Sequence, residues 1–213
     1  MTLSASPSDE TLMRYAAGTL DPAIAVLVRV HLETSAESRT RLAEWDAVGG
    51  ALLAGEAEAP LTPGSLDRAL AAIDRAAPPP ASPPSPGAAP LHGTAALAGC
   101  EVGRWRWVAP GLRMAKVTPP ATASARLLLM KIAPGTAMLD HGHEGEEITL
   151  VLSGAVEDGG ERFGAGAFIE ADASIQHQPV AAEGETCICL VAMDGHIRAP
   201  FPFGLIARHV MGF

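Results

Sequence analysis

The sequence predicts an α + β chain in two domains, a small N-terminal helical bundle and a C-terminal all-β barrel, and three observations carry that prediction. Apolar residues recur with helical spacing up to about residue 76. Residues Ala77–Pro90 read APPPASPPSPGAAP, half of them proline. Beyond them the apolar period falls to two, in short runs separated by glycine. The domains are therefore placed at 1–76 and 93–213, joined by a linker over 77–92 whose composition cannot bury a core and favours extended polyproline geometry.

In the first half, Ser6-Pro7-Ser8-Asp9 opens a helix that Gly18 closes, and Asp21-Pro22 opens the next with a cap followed by proline at the first helical position. Ile24, Leu27, Val28, His31 and Leu32 share one face of that second helix. Leu42, Trp45, Val48 and Leu52 make another stripe, and Leu66, Leu70 and Ile73 a third after Pro63-Gly64-Ser65. So many stripes on so short a stretch leave an apolar face for a partner to cover.

In the second half, strands are predicted over 104–108, 112–117, 125–132, 147–152, 167–171 and 186–192, with Glu157-Asp158-Gly159-Gly160-Glu161 as a hairpin turn whose glycines accept positive φ. Many short strands at regular spacing mean a sandwich or a barrel. The tail from Ala199 is predicted to end in a short helix over Leu205–Val210.

Charge and composition exclude several functions. Of 213 residues, 24 are acidic and 15 basic, a net charge of −9 that repels a phosphate backbone, so direct nucleic-acid binding is not expected. The helical half alone has no lysine, six arginines and eleven acids, which disfavours a helix-turn-helix DNA reader and suits a protein partner. No run of eighteen apolar residues offers a membrane span, and Met1–Glu10 lacks the features of a secretory signal, so the chain is expected to be cytoplasmic. Three cysteines, an odd number, argue against a disulfide framework. Cys187 and Cys189 flank Ile188 on one side of a strand, where a redox role competes with plain burial. Trp105 and Trp107 alternate on one face and are expected to pack in a core or interface.

The chemistry concentrates in His141-Gly142-His143-Glu144-Gly145-Glu146-Glu147. Two imidazoles two residues apart on extended chain share a face, and Glu147 has matching parity four residues later. His177 lies in a later strand-like segment that barrel closure can bring opposite. Imidazole and carboxylate suit a divalent cation; zinc, manganese, iron and nickel all fit. Glu144 and Glu146 have the opposite parity and are expected to face solvent or to support the ligands from behind.

These residues resemble the cupins. The first cupin motif, G-x5-H-x-H-x3-E-x6-G, is matched at every fixed position by Gly135, His141, His143, Glu147 and Gly154. The second, G-x5-P-x-G-x2-H-x3-N, is matched by Gly166 and His177, with Asp172, Ser174 and Ala181 in place of proline, glycine and asparagine. The resemblance implies a jelly-roll barrel holding one cation through His141, His143, Glu147 and His177.

Over its whole length the chain is similar to the ChrR-type zinc anti-sigma factors, in which a helical module precedes a cupin. Their N-terminal zinc motif, H-x3-C-x2-C with an upstream histidine, is represented by His31, Ser35 and Ser38, with Ser6 near the upstream position. Serine oxygen is a poor zinc ligand beside thiolate, so zinc is expected at the cupin site and lost from the N-terminal one. Serine at both positions is the pattern a deliberate Cys→Ser replacement leaves. The resemblance implies a non-enzymatic regulator: the helical domain grips an extracytoplasmic-function sigma factor, and the cupin is needed for release under oxidative stress such as singlet oxygen. The alternative is a metal-dependent cupin enzyme, a dioxygenase or isomerase, using the same four ligands.

Overall fold

A computed structural model describes residues 4–76, 97 and 99–198. The whole of the expected linker, and the expected tail helix over 205–210, lie outside the described residues. Among the described residues four helices come first: α1 (Asp9–Ala16), α2 (Pro22–Thr34), α3 (Ala36–Ala54) and α4 (Ser65–Arg75). Thirteen strands follow: β1 (Glu101–Val102), β2 (Arg106–Ala109), β3 (Leu112–Thr118), β4 (Arg126–Ile132), β5 (His141–His143), β6 (Glu147–Ser153), β7 (Ala155–Asp158), β8 (Glu161–Gly164), β9 (Phe168–Ala171), β10 (Gln176–His177), β11 (Val180–Ala181), β12 (Cys187–Met193) and β13 (Ile197–Arg198).

The first three helices start where side chains satisfy the first free amides. Ser8 accepts from the Thr11 amide at the head of α1, Asp21 from Ala23 at α2, and Ser35 from Ser38 at α3. Arg41 of α3 ties back to α1, donating to the Pro7 carbonyl at 3.0 Å and to Asp9 at 2.6 Å.

A seven-stranded antiparallel sheet runs β1-β3-β4-β12-β6-β9, with β2 added on β3. Two three-stranded sheets, β10-β5-β13 and β11-β7-β8, supply the rest. Alternation sorts the large sheet into two buried faces. Met114, Met130, Ile132, Val151, Ile169, Cys187, Cys189 and Val191 pack inward with Val156 and Phe163 of the small sheets. Leu127, Leu129, Ile148, Leu150, Leu190, Ala192 and Phe168 point the other way and form one core with Leu12, Ile24, Leu27 and Val28 of the helices. Antiparallel sheets commonly leave one face to solvent; here α2 covers it, which accounts for uninterrupted apolar runs such as Leu127–Met130.

The turns follow the sequence. Gly159 and Gly160 both take positive φ between β7 and β8, as predicted for that hairpin. Gly154 has φ +71, and a Cβ there would meet the Thr186 carbonyl oxygen at 2.8 Å, so only glycine lets β6 and β12 approach. Of the two places expected for Trp105 and Trp107, a core or an interface, the core is not where they lie. Both are exposed, because β2 pairs only with β3 and no layer of the described residues covers them.

Candidate metal centre

Strand pairing assembles the cluster. His141 on β5 lies directly opposite His177 on β10, while Glu147 opens β6 between Ala171 of β9 and Met193 of β12. Gly142, between the two histidines of β5, sits in a tight place, where a Cβ would meet the Gln176 side-chain oxygen at 2.8 Å and the Ile175 carbonyl oxygen at 3.2 Å. The ligand atoms of His141, His143, Glu147 and His177 all lie within 4.8 Å of one another. Bonds of about 2.0–2.2 Å to a shared cation need ligand separations of roughly 3–4 Å, so small adjustments of the side chains suffice.

The surroundings fix which nitrogens face inward. His141 donates from Nδ1 to the Leu139 carbonyl at 2.7 Å, leaving Nε2 toward Glu147 at 3.9 Å. His177 donates from Nδ1 to Asp158 at 2.6 Å, leaving Nε2 toward Glu147 at 3.9 Å and 3.0 Å from Nε2 of His143. The Nδ1 atom of His143 is buried without a hydrogen-bond partner and lies 3.7 Å from Glu147. The Nε2 atoms of His143 and His177 aimed at each other suit a cation between them, and the unpaired Nδ1 of the same His143 ring is the other nitrogen that ring can offer.

Burial alone would push the His141 imidazole down, but the adjacent Glu147 carboxylate outweighs it and holds the group above its ordinary value. Burial lowers His143, reinforced by the other two rings and only partly offset by Glu147. Burial would raise Glu147, yet the three imidazoles bring it below the usual carboxylate range. The lowered Glu147 and His143 favour the forms a cation requires, an ionised carboxylate and a neutral ring, whereas the raised His141 means that a cation there competes with a proton.

Asp158 is the participant that spacing does not reveal. It sits in the predicted hairpin turn, is 5% exposed, and orients His177 from behind, as a carboxylate does for a ring that would hold a cation. Of the two other acidic residues beside the motif, Glu144 is exposed and bonds His196 at 3.0 Å. Glu146 turns toward the helices instead of solvent, where burial and the nearby Glu170 raise its value.

The cluster closes one end of a cavity of about 350 Å³ between the large and small sheets. Cys189 reaches its wall. The Cys187 and Cys189 sulfurs are 3.4 Å apart; their hydrogen bond lowers the first thiol and, with burial, raises the second well above the ordinary range.

The N-terminal motif does not fit a metal. His31 is buried with Nδ1 3.0 Å from the Gly166 carbonyl, so that nitrogen donates and Nε2 accepts. Ser38, wholly buried, donates to Nε2 at 2.9 Å and accepts from the Ser35 hydroxyl at 3.0 Å. Every donor finds an acceptor, and neither serine carries the charge that thiolates would bring to zinc. Ser6 lines the same recess as His31 and Ser35.

Residues 94–196 match the ChrR cupin-like domain family. An RmlC-like cupin protein from Ralstonia eutropha is similar over 44% of this chain and 64% of its own, at 23% identity and a TM-score of 0.40. The crystal structure of Rhodobacter sphaeroides SigE in complex with the anti-sigma ChrR contains a chain similar over 91% of this one and 100% of its own, at 40% identity and a TM-score of 0.74. The anti-sigma-E factor ChrR of Cereibacter sphaeroides is 43% identical over 93% of each chain. At that identity most aligned positions differ, so Ser35 and Ser38 are not point replacements within that protein. With sequence similarity and backbone agreement both spanning the helices and the barrel, this chain belongs to the family of the anti-sigma factor ChrR.

Proposed function

We propose that this protein is a cytoplasmic, non-enzymatic anti-sigma factor. Its helices bind an extracytoplasmic-function sigma factor, keep it from core RNA polymerase, and release it under oxidative stress such as singlet oxygen, with the cupin domain needed for release. The observation that carries the first half is a bare apolar surface. The inner face of α2 is covered by the large sheet, whereas Leu52 is 69% exposed on α3, and Leu66 and Ile73 are each 68% exposed on α4. Helix α4 has no buried residue at all, although its apolar side chains fall on one side. A helix so patterned is stable when another surface covers it. The excess of acids in residues 1–76 complements the basic surfaces of a DNA-binding subunit.

The second half draws on the path from the cluster to the helices. Zinc is the first candidate for the cluster, where a divalent cation would be held by His141, His143, Glu147 and His177 and would supply a fixed positive charge. Glu147 is paired with Ala171 on β9, and the preceding residue, Glu170, accepts from Ser8 and Thr11 at the head of α1. Displacement of Glu147 is therefore transmitted to α1 through one strand pairing.

The test is co-elution of purified chain and cognate sigma factor on size exclusion. The Leu66→Glu, Ile73→Glu double variant should lose at least a hundredfold in affinity while keeping its helicity, since neither residue is buried. Undiminished binding refutes the assignment of this face. For release, a photosensitising dye under light should free sigma from the wild-type complex and not from one made with His177→Ala; release from both removes the cupin from the response.

A further inference from the structure

The cavity behind the cluster is larger than metal binding requires. Its volume of about 350 Å³ lies in the range of small-molecule sites. Its ionisable side chains other than the Cys189 thiol meet at one end, where His141, Glu147, His177 and Asp158 lie, and elsewhere the wall is mostly apolar, interrupted by the Thr136 and Thr149 hydroxyls. Register shows the direction. From Glu147, inward-facing rows pass Thr149, Val191 and Leu128, then Cys189, Met130 and Met114. Two such steps span about 13 Å along the strands. Four of the seven methionines, Met114, Met130, Met138 and Met193, line it, and flexible thioethers adapt to varied occupants. Trp107 and Leu139 are exposed residues of the same wall and mark where an occupant enters.

We infer that this cavity binds an aliphatic molecule with one terminal oxygen donor, a medium-chain carboxylate being the simplest, its chain along the methionine wall and its oxygen at the cluster. The inference rests on reading the cluster as a cation site, and extends it from the ion to the ligand beside it. Apolar walls of this size hold water poorly and lose dispersion contacts when nothing fills them. A sugar or other polyol would leave hydroxyls unpaired against leucine and methionine, so polar substrates are excluded by desolvation. A divalent ion balanced by Glu147 and Asp158 carries no net charge, so a single oxygen, ionised or neutral, is what the end of the cavity accepts. No bond is made or broken: the site is a receptor.

The experiment is calorimetric titration of the full chain, zinc-loaded and chelator-treated, with octanoate, decanoate, 1-decanol and the polyol carboxylate gluconate, alongside elemental analysis. One equivalent of decanoate should bind the zinc form, tighter than octanoate by about three- to fourfold per added methylene, and gluconate should not. Met130→Trp, which fills the cavity, should weaken decanoate at least tenfold with zinc content unchanged; Ile169→Phe serves as a second filling variant should the first not fold. The Leu66→Glu, Ile73→Glu variant should bind decanoate normally, separating the cavity from the exposed helices. Decanoate binding no better than gluconate to protein holding one zinc overturns the ligand inference and leaves the metal reading standing. Chain-length-dependent binding in protein that takes up no zinc overturns the metal reading, and with it the placement of the oxygen.

Discussion

Thr11 and Glu170 are 159 residues apart in the chain, and the threonine hydroxyl donates to the carboxylate at 2.6 Å. Glu170 also accepts from the Ser8 amide and hydroxyl, so a carboxylate of the barrel completes the N-terminus of the first helix. The two halves of the chain are thus bonded as well as packed. Glu170→Ala is expected to cost about 1.5–3 kcal/mol, with faster amide exchange in α1. Urea unfolding with hydrogen exchange measures both, and wild-type protection of α1 would contradict the role.

Asp158 bonds the cluster through His177, and its charge also helps to raise His141. Replacing it with alanine should weaken zinc binding about 10–100-fold in competition with a chromogenic chelator, leaving the stoichiometry at saturation unchanged. Affinity equal to wild type would remove Asp158 from the site.

The serine relay beside His31 makes the opposite prediction about metal. Ser38→Ala leaves Nε2 of His31 buried without a donor, at a cost of about 1–3 kcal/mol in urea, and the metal content per chain should not change. Loss of one equivalent of metal on that substitution would show that the recess does hold an ion.

Asp21 supplies a pH signature. Burial pushes its carboxyl up, but the Ser124 hydroxyl and the amides of Ala23, Ser124 and Ala125 together outweigh it, so the value falls below the ordinary 3.8. A depressed carboxyl contributes stability that is complete above its unfolded value and fades as pH drops through the folded one. The stability gap between wild type and Asp21→Asn should therefore hold steady down to about pH 5 and shrink below about pH 4. A gap that widens on acidification would contradict the assignment.

Much of this was legible locally. Side-chain alternation is a property of adjacent residues, so the six predicted strands correspond to β2, β3, β4, β6, β9 and β12 with ends shifted by a residue or two. The short strands β1, β11 and β13 escaped because two residues carry no period, whereas β10 is the strand-like segment expected around His177. His141, His143 and Glu147 could be grouped by parity alone. Asp158 could not, because a turn-forming Asp-Gly-Gly reads the same whether its aspartate is solvated or buried against a ring nineteen residues away.

By itself the sequence determined the helical and β halves, the proline-rich stretch between them, and a set of ligand-type residues with the parity to share a face. Each of those follows from spacing, which the chain carries wherever it folds. Only the tertiary structure decided that the large sheet is buried on both faces, that α2 spends its apolar side on the barrel while α4 keeps its own bare, and that His31 bonds two serines and a carbonyl. Those outcomes depend on which distant surfaces exclude water from one another, and periodicity states that a face is apolar without stating what will cover it.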